Sequence, residues 1–207
     1  MAVYSGTMSI DEIKHLYFEK QLCTREIGEK LNKTTWQIIR TMKKHNVARR
    51  TSAETQKIQF QRKPLSYNKK VRLSSFEKSL YEAGLMLYWA EGVKTRGTVD
   101  FANSDSRMAS IFLSMLRSIY HIDEKRLRIL LYCYANQNTE KLIKYWSAKL
   151  KIPTLQFIKP YVKHDYNKKK THKMPHGLVH IRYHDKRLFE QILKDIDIIS
   201  RKLKQNV

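Results

Sequence analysis

Residues 126–135 read Arg-Leu-Arg-Ile-Leu-Leu-Tyr-Cys-Tyr-Ala, and their alternation limits the fold more than any other stretch. In an extended chain Leu127, Ile129, Leu131 and Cys133 project to one side, and Arg126, Arg128, Tyr132 and Tyr134 to the other. A strand with one apolar face needs hydrogen-bonded neighbours at its edges and apolar side chains over that face. Two further segments qualify as neighbours, 154–163 and 178–184. In the second, Val179, Ile181 and Tyr183 oppose His180, Arg182 and His184. In the first, Gln156 is out of phase with Phe157, Lys159 and Tyr161. Around these strands the period changes to that of helices, predicted at 79–92, from Ser104 or Asp105 to about 120, at 139–150 and at 186–202. A short hairpin about Thr95-Arg96-Gly97 leads into a strand at 98–103. The helix after Asp105 carries Met108, Ile111, Phe112, Met115, Leu116 and Ile119 on one side. The expected class is α+β, a mostly antiparallel sheet with helices on one face.

Upstream, residues 9–50 have only helical periodicity. Thr24 is placed to cap a first helix with Ile27 and Leu31 inward, and Thr34 a second with Ile38 and Met42 inward. Val47 closes that small core, and Gly28 permits close approach. The spacing resembles the helix-turn-helix of resolvases and many bacterial regulators, in which the second helix enters the major groove. That resemblance implies that Thr35, Trp36, Gln37 and Arg40 face base edges, while Arg25, Lys43, Lys44, Arg49 and Arg50 reach phosphates. A helical hairpin serving as a protein interface is the bland alternative, and the run Ala48-Arg49-Arg50 weighs against it. Residues 51–78 hold Pro64, several serines and the runs Gln61-Arg62-Lys63 and Asn68-Lys69-Lys70, and read as a basic, partly helical linker. Three parts are therefore expected: 9–50, 51–78 and 79–202.

Charge narrows the partner. Forty-one Lys and Arg face 19 Asp and Glu in 207 residues, a formal net charge of +22. Such an excess repels itself unless a polyanion neutralises it, and nucleic acid is the commonest. An anionic membrane surface is the alternative, but it is met by one basic amphipathic segment, whereas here cations run through every part. Neither the strand at 126–135 nor that at 154–163 carries an acid. Arg, Lys and Gln on such strands can reach base edges, and Tyr and Lys can hold phosphates. No apolar run spans a bilayer. Cys23 and Cys133 are far apart and read as buried hydrophobes of a reducing compartment, so a cytoplasmic protein without a membrane is expected, nucleoid-associated if bacterial or archaeal. His172, His176, His180 and His184 recur every four residues, but Pro175 and Gly177 break any helix that would align them as metal ligands.

Residues 83–92 read Ala-Gly-Leu-Met-Leu-Tyr-Trp-Ala-Glu-Gly. Ala83, Leu87 and Ala90 share a helix face with Gly84 beside them, which suits close approach of a second backbone. Glu91 stands in the last turn and Gly92 at the C-cap. A carboxylate there adds to the negative end of the helix dipole, an arrangement a divalent cation would relieve. The stretch resembles the LAGLIDADG motif of homing endonucleases, with Glu91 at the acid, Gly92 at the last Gly, Ala90 before the acid and Leu87 at the central Leu. Met86 stands where the motif usually has Gly, and Gly84 and Leu85 occupy its first two positions. Val-Asp-Phe-Ala-Asn-Ser-Asp at 99–105, Lys-Tyr-Trp-Ser at 144–147 and Ile-Pro-Thr-Leu-Gln-Phe-Ile-Lys-Pro at 152–160 resemble a compact bacterial and archaeal branch with an attached helix-turn-helix.

The resemblance covers about residues 79–198 and implies a saddle-shaped sheet over double-stranded DNA. It also implies a homodimer paired through Ala83, Gly84, Leu87 and Ala90, and Mg²⁺-dependent phosphodiester cleavage with Glu91 as metal ligand and Lys159 assisting. DNA contacts are expected from Arg126, Arg128, Tyr132, Tyr134, Lys159, His180 and Arg182. Asp100 and Asp105 are candidate second ligands, Asp105 being better explained as a helix cap. A transcriptional regulator that keeps the fold without cleavage, and an RNA-binding intron maturase, are the alternatives.

Overall fold

The computed structural model describes residues 9–164 and 174–205; His172 lies outside them. Among the described residues there are eight α-helices and one four-stranded sheet, in two units, Met1–Pro64 and Leu65–Val207.

The first unit is all-helical. Helix α1 (Ile10–Lys14) runs on as a π-helical turn (His15–Glu19), followed by α2 (Thr24–Leu31), α3 (Thr35–Lys44) and α4 (Ser52–Arg62). Ile13, Leu16, Tyr17, Ile27, Ile38 and Met42 form its core, with Ile10, Leu22, Leu31 and Val47 around them. The turn between α2 and α3 is tight because Asn32 adopts φ 52° and the Lys33 carbonyl oxygen lies only 2.6 Å from where a Cβ on Gly28 would be. Thr34 caps α3 as expected, accepting from the Gln37 N–H. Thr24 does not cap α2. Its N-cap is Cys23, whose N–H is taken by the Glu26 carboxylate at 2.7 Å. Helix α4 buries none of its residues and stands in what reads as linker. A Thr51–Glu54 capping box starts it, and Arg62 pairs with Glu26 at 3.1 Å.

The second unit is α+β. Its elements are α5 (Ser75–Glu91), β1 (Val99–Asn103), α6 (Ser106–Ser118), β2 (Leu127–Tyr134), α7 (Thr139–Leu150), β3 (Tyr161–Lys163), β4 (Leu178–Tyr183) and α8 (Lys186–Gln205). The sheet order is β1-β4-β2-β3, with β1-β4 and β4-β2 antiparallel and β2-β3 parallel. Leu127, Ile129, Leu131, Cys133, Val179, Ile181, Tyr183, Val99 and Phe101 form one buried face, meeting Leu85 and Tyr88 of α5, Phe112 and Leu116 of α6, and Ile192 of α8.

The segment ahead of α5 belongs to this unit rather than to a linker. The Asn68 and Lys70 N–H groups donate to Tyr120 and Ile119 carbonyls. Lys69 reaches Asp195, 2% exposed, at 2.7 Å, and the Tyr120 hydroxyl donates to the same carboxylate at 2.6 Å. A buried carboxylate is tolerable only with such partners.

The expected strand 154–163 is cut short. Pro153 and Pro160 lack the N–H a ladder needs, and the segment forms a 3₁₀ turn (Thr154–Gln156), a single bridge from Phe157 to Ile129, and then β3. Tyr132 is three residues beyond Ile129, whereas its partner Tyr161 is four beyond Phe157. One extra residue in the outer strand is a bulge, and it reverses the phase. Phe157 and Val162 pack on the core, and Tyr161 stands beside Tyr132 on the open face. Simple alternation gives Tyr161 the side of Phe157, and the bulge overturns that.

Candidate nucleic-acid interface

Helix α3 presents one solvent-facing side. Trp36 is 63% exposed, and the Arg40 guanidinium lies over its ring, 5.1 Å from the centroid. Thr35 is half-buried, whereas Lys43, Lys44 and Arg49 are exposed. Two expected contacts are engaged within the unit. The Gln37 side-chain oxygen accepts from the Thr34 N–H at 2.9 Å, closing the capping box. Arg50 folds inward: its guanidinium stacks 3.9 Å from the centre of the Tyr17 ring and donates to the Tyr17 and Leu22 carbonyls and to Gln21. An arginine so held is a structural strut for the helical core, not a phosphate contact. Arg25 lies 3.6 Å from Glu29, an exposed pair that leaves it available.

In the second unit the open face of the sheet is built in rows. Arg128 of β2 lies beside Arg182 of β4, which lies beside Asp100 of β1. In the next row Leu130 lies beside His180, and His180 beside Ala102. Asp100 holds both cations of β4: its carboxylate meets His180 Nδ1 and Arg182 Nε, each at 2.8 Å. Burial alone would raise the Asp100 carboxyl, but the His180 hydrogen bond and charge, followed by Arg182, hold it below the ordinary value. The acid is on β1, outside the strands whose freedom from acids the sequence displays. It removes Asp100 as a metal ligand and fixes His180 and Arg182 in place. Asp105 is engaged likewise, capping α6 and paired with Arg107 at 2.7 Å.

The other sheet residues divide. Arg128 stays on the open face, with Nη1 donating to the Lys125 carbonyl at 2.8 Å. Arg126 leaves it, donating to the His184 carbonyl and lying 5.5 Å from the Tyr183 ring centre. Tyr134 is buried, and Tyr132 sits between Tyr161, ring centroids 4.8 Å apart, and His180, 4.6 Å apart.

Glu91 is exposed at the end of α5. Gly92 is not a left-handed cap: its φ is −77°, and it bridges to Phe101, where a Cβ would lie 2.5 Å from the Tyr88 ring. Tyr88 is held by that packing, its phenol pushed up to about 12 by burial. The chain at Gly92 thus adds an edge beyond β1, next to a cleft of ≈ 180 Å³ lined by Val93, Arg96, Thr98, Asp100, Arg182 and His184. Lys159 lies just ahead of β3, at the opposite edge. Four inter-strand steps separate the two edges, roughly 19 Å at the usual spacing, so Lys159 does not assist Glu91 within one chain. Among the described residues no three His, Cys, Asp or Glu converge as a metal site.

The α5 face divides too. Ala83 and Ala90 are exposed, with Phe76 and Trp89 near them, and Leu87 is half-buried. Gly84 is not available to a second chain, because the Met115 side chain of α6 fills its place, Sδ lying 2.5 Å from where a Cβ would be.

No family model, curated protein or solved structure matches the chain. No helix of the described residues is long and apolar enough to cross a membrane.

Proposed function

We propose that this protein binds double-stranded DNA at specific sites through α3, and that a dimer of it cleaves the bound phosphodiester with Glu91 as metal ligand. The observation that carries the reading is the solvent face of α3, where a capped helix presents Trp36 and Arg40, with Lys43 and Lys44 in its last turn and Arg49 soon after. The second unit, read as a LAGLIDADG-like domain, joins a half-cationic open sheet face to a helix ending in an exposed carboxylate. Pairing two chains along Ala83, Leu87 and Ala90 would bring two Glu91 side chains together.

A metal fits only such a pair, since one chain offers a single carboxylate there. Mg²⁺ so held would offset the charge developing on the attacked phosphate. The residues of this chain would then bind and orient: Arg96, Arg182 and His184, which line the cleft that also holds Val93, would take a phosphate oxygen.

A second reading, a non-cleaving regulator of DNA, is favoured by one observation. Asp100, the acid nearest this edge on the sheet, is committed to His180 and Arg182. Selection from a randomised duplex library, followed by incubation with Mg²⁺ or Mn²⁺, separates the readings. The nuclease reading expects cleavage in the wild type and none in Glu91→Gln, which keeps shape and site binding. Equal cleavage in both would remove Glu91 from the chemistry. Tight site binding without cleavage by the wild type would leave the regulator.

A further inference from the structure

A file of aromatic rings crosses the open face of the sheet. Tyr161 of β3, Tyr132 of β2 and His180 of β4 lie side by side, with centroid separations of 4.8 and 4.6 Å and interplanar angles of 37° and 39°. The file is anchored at its β4 end by the Asp100 carboxylate on His180 Nδ1. At its β3 end it is open, for Tyr161 is 54% exposed. Burial does not account for Tyr161. The one-residue bulge about Pro160 turns it out of the core phase, and Val162 packs inward in its stead. A large ring tilted against a second ring, with one side in water, offers a flat apolar surface at little cost in side-chain freedom.

The surroundings select what would cover it. Arg128, Arg182 and Lys163 share the open face with the file, and Lys159 precedes β3. Among the described residues the acid of the face is Asp100, and it is neutralised by its two partners. A ligand that is flat, apolar on its faces and anionic along its backbone complements such a surface. Bases in a duplex are stacked on one another and cannot offer their faces to Tyr161, whereas unpaired bases can. We propose that the open sheet face is a stacking platform for single-stranded nucleic acid, with Tyr161 taking an unpaired base against its free side and Tyr132 and His180 supporting it. Arg128 and the lysines hold the backbone. The platform rests on the nucleic-acid part of the function proposed above and requires neither the duplex site nor cleavage. Stacking does not distinguish the sugar, so single-stranded DNA and single-stranded RNA share the surface chemistry and are separate arms of the test.

The full chain would be titrated at fixed salt, by fluorescence anisotropy, with labelled mixed-sequence single-stranded DNA, single-stranded RNA and duplex DNA. Base–aromatic stacking predicts that Tyr161→Ala and Tyr161→Leu weaken single-strand binding by about 5–150-fold, while Tyr161→Phe and all duplex affinities stay within about 2-fold. Leu keeps bulk without a ring, so it separates stacking from packing, and circular dichroism melts check that each variant folds. A loss in one single-strand arm alone assigns the platform to that sugar. Unchanged single-strand affinity in Tyr161→Ala, a loss in Tyr161→Phe equal to that in Ala, or an equal loss on the duplex overturns the platform and leaves the duplex reading standing. Failure of the wild type to bind any nucleic acid overturns both.

Discussion

Arg50 and Lys44 are both basic residues at the edge of the helical unit, and the structure gives them opposite roles that one pair of substitutions can separate. Lys44 is exposed in the last turn of α3. Each cation that neutralises a phosphate on duplex DNA contributes about 0.9 to the slope of log affinity against log salt. Lys44→Gln should therefore lower that slope by about 0.9 per bound chain and leave the unit as stable as before. Arg50 instead donates to two carbonyls and a glutamine while stacking on Tyr17. Charged hydrogen bonds and a part-buried cation–π contact together make Arg50→Gln cost roughly 2–4 kcal/mol. Arg50→Gln should leave the slope of the folded fraction intact. Hydrogen–deuterium exchange over residues 10–47 reads the stability change as a loss of amide protection of roughly 30- to 800-fold. Anisotropy titrations over a range of KCl read the slope. A slope lowered as far by Arg50→Gln as by Lys44→Gln, with protection unchanged, would refute the strut role of Arg50.

Gly84→Val places methyl groups where Met115 already sits, and overpacking of this kind costs about 1–3 kcal/mol. The melting midpoint should drop by the same amount at every protein concentration, whereas a residue serving only a dimer contact would give a concentration-dependent drop. Acid should weaken the second unit through Glu77, whose carboxyl the Lys70 ammonium, then the Ser74 N–H, lower from 4.5 to about 2. The unfolded chain takes up that proton first as pH falls, so the pair's contribution is complete above about 4.5 and drains away toward about 2. Glu77→Gln should show a smaller fall in melting midpoint across that window, and an unchanged fall would refute the assignment.

The sequence made some elements readable because their determinants are local. Helix α7 runs Thr139–Leu150 as predicted, because Asn138 caps it and its apolar stripe has one period. The start of α8 follows from Asp185 for the same reason: its carboxylate accepts from the Arg187 and Leu188 N–H groups. Two boundaries carry a local signal: Thr51-x-x-Glu54 and Ser74-x-x-Glu77 are capping boxes, and they start α4 within the partly helical linker and α5 four residues ahead of the expected start at 79. Helix α4 hides because it buries no residue, so no apolar stripe announces it. At the candidate site the unreadable facts are those decided by distant partners. That Asp100 would claim His180 and Arg182 depends on a pairing across some eighty residues, and that Arg50 would turn inward depends on Tyr17. The separation of Lys159 from Glu91 follows from strand order, which alternation does not encode.

Because side chains alternate, the identity of the surface between Phe157 and Val162 is a matter of counting as much as chemistry. Deleting Pro160 alone would remove the bulge and leave Tyr161 three residues beyond Phe157, the same step that separates Tyr132 from Ile129, so the tyrosine would keep its place on the open face and Val162 its place on the core. The side that Tyr161 faces is thus set by its pairing with Tyr132 rather than by the length of the segment before it. The bulge absorbs one residue of slack, and a chain one residue shorter here presents the same aromatic edge to the solvent.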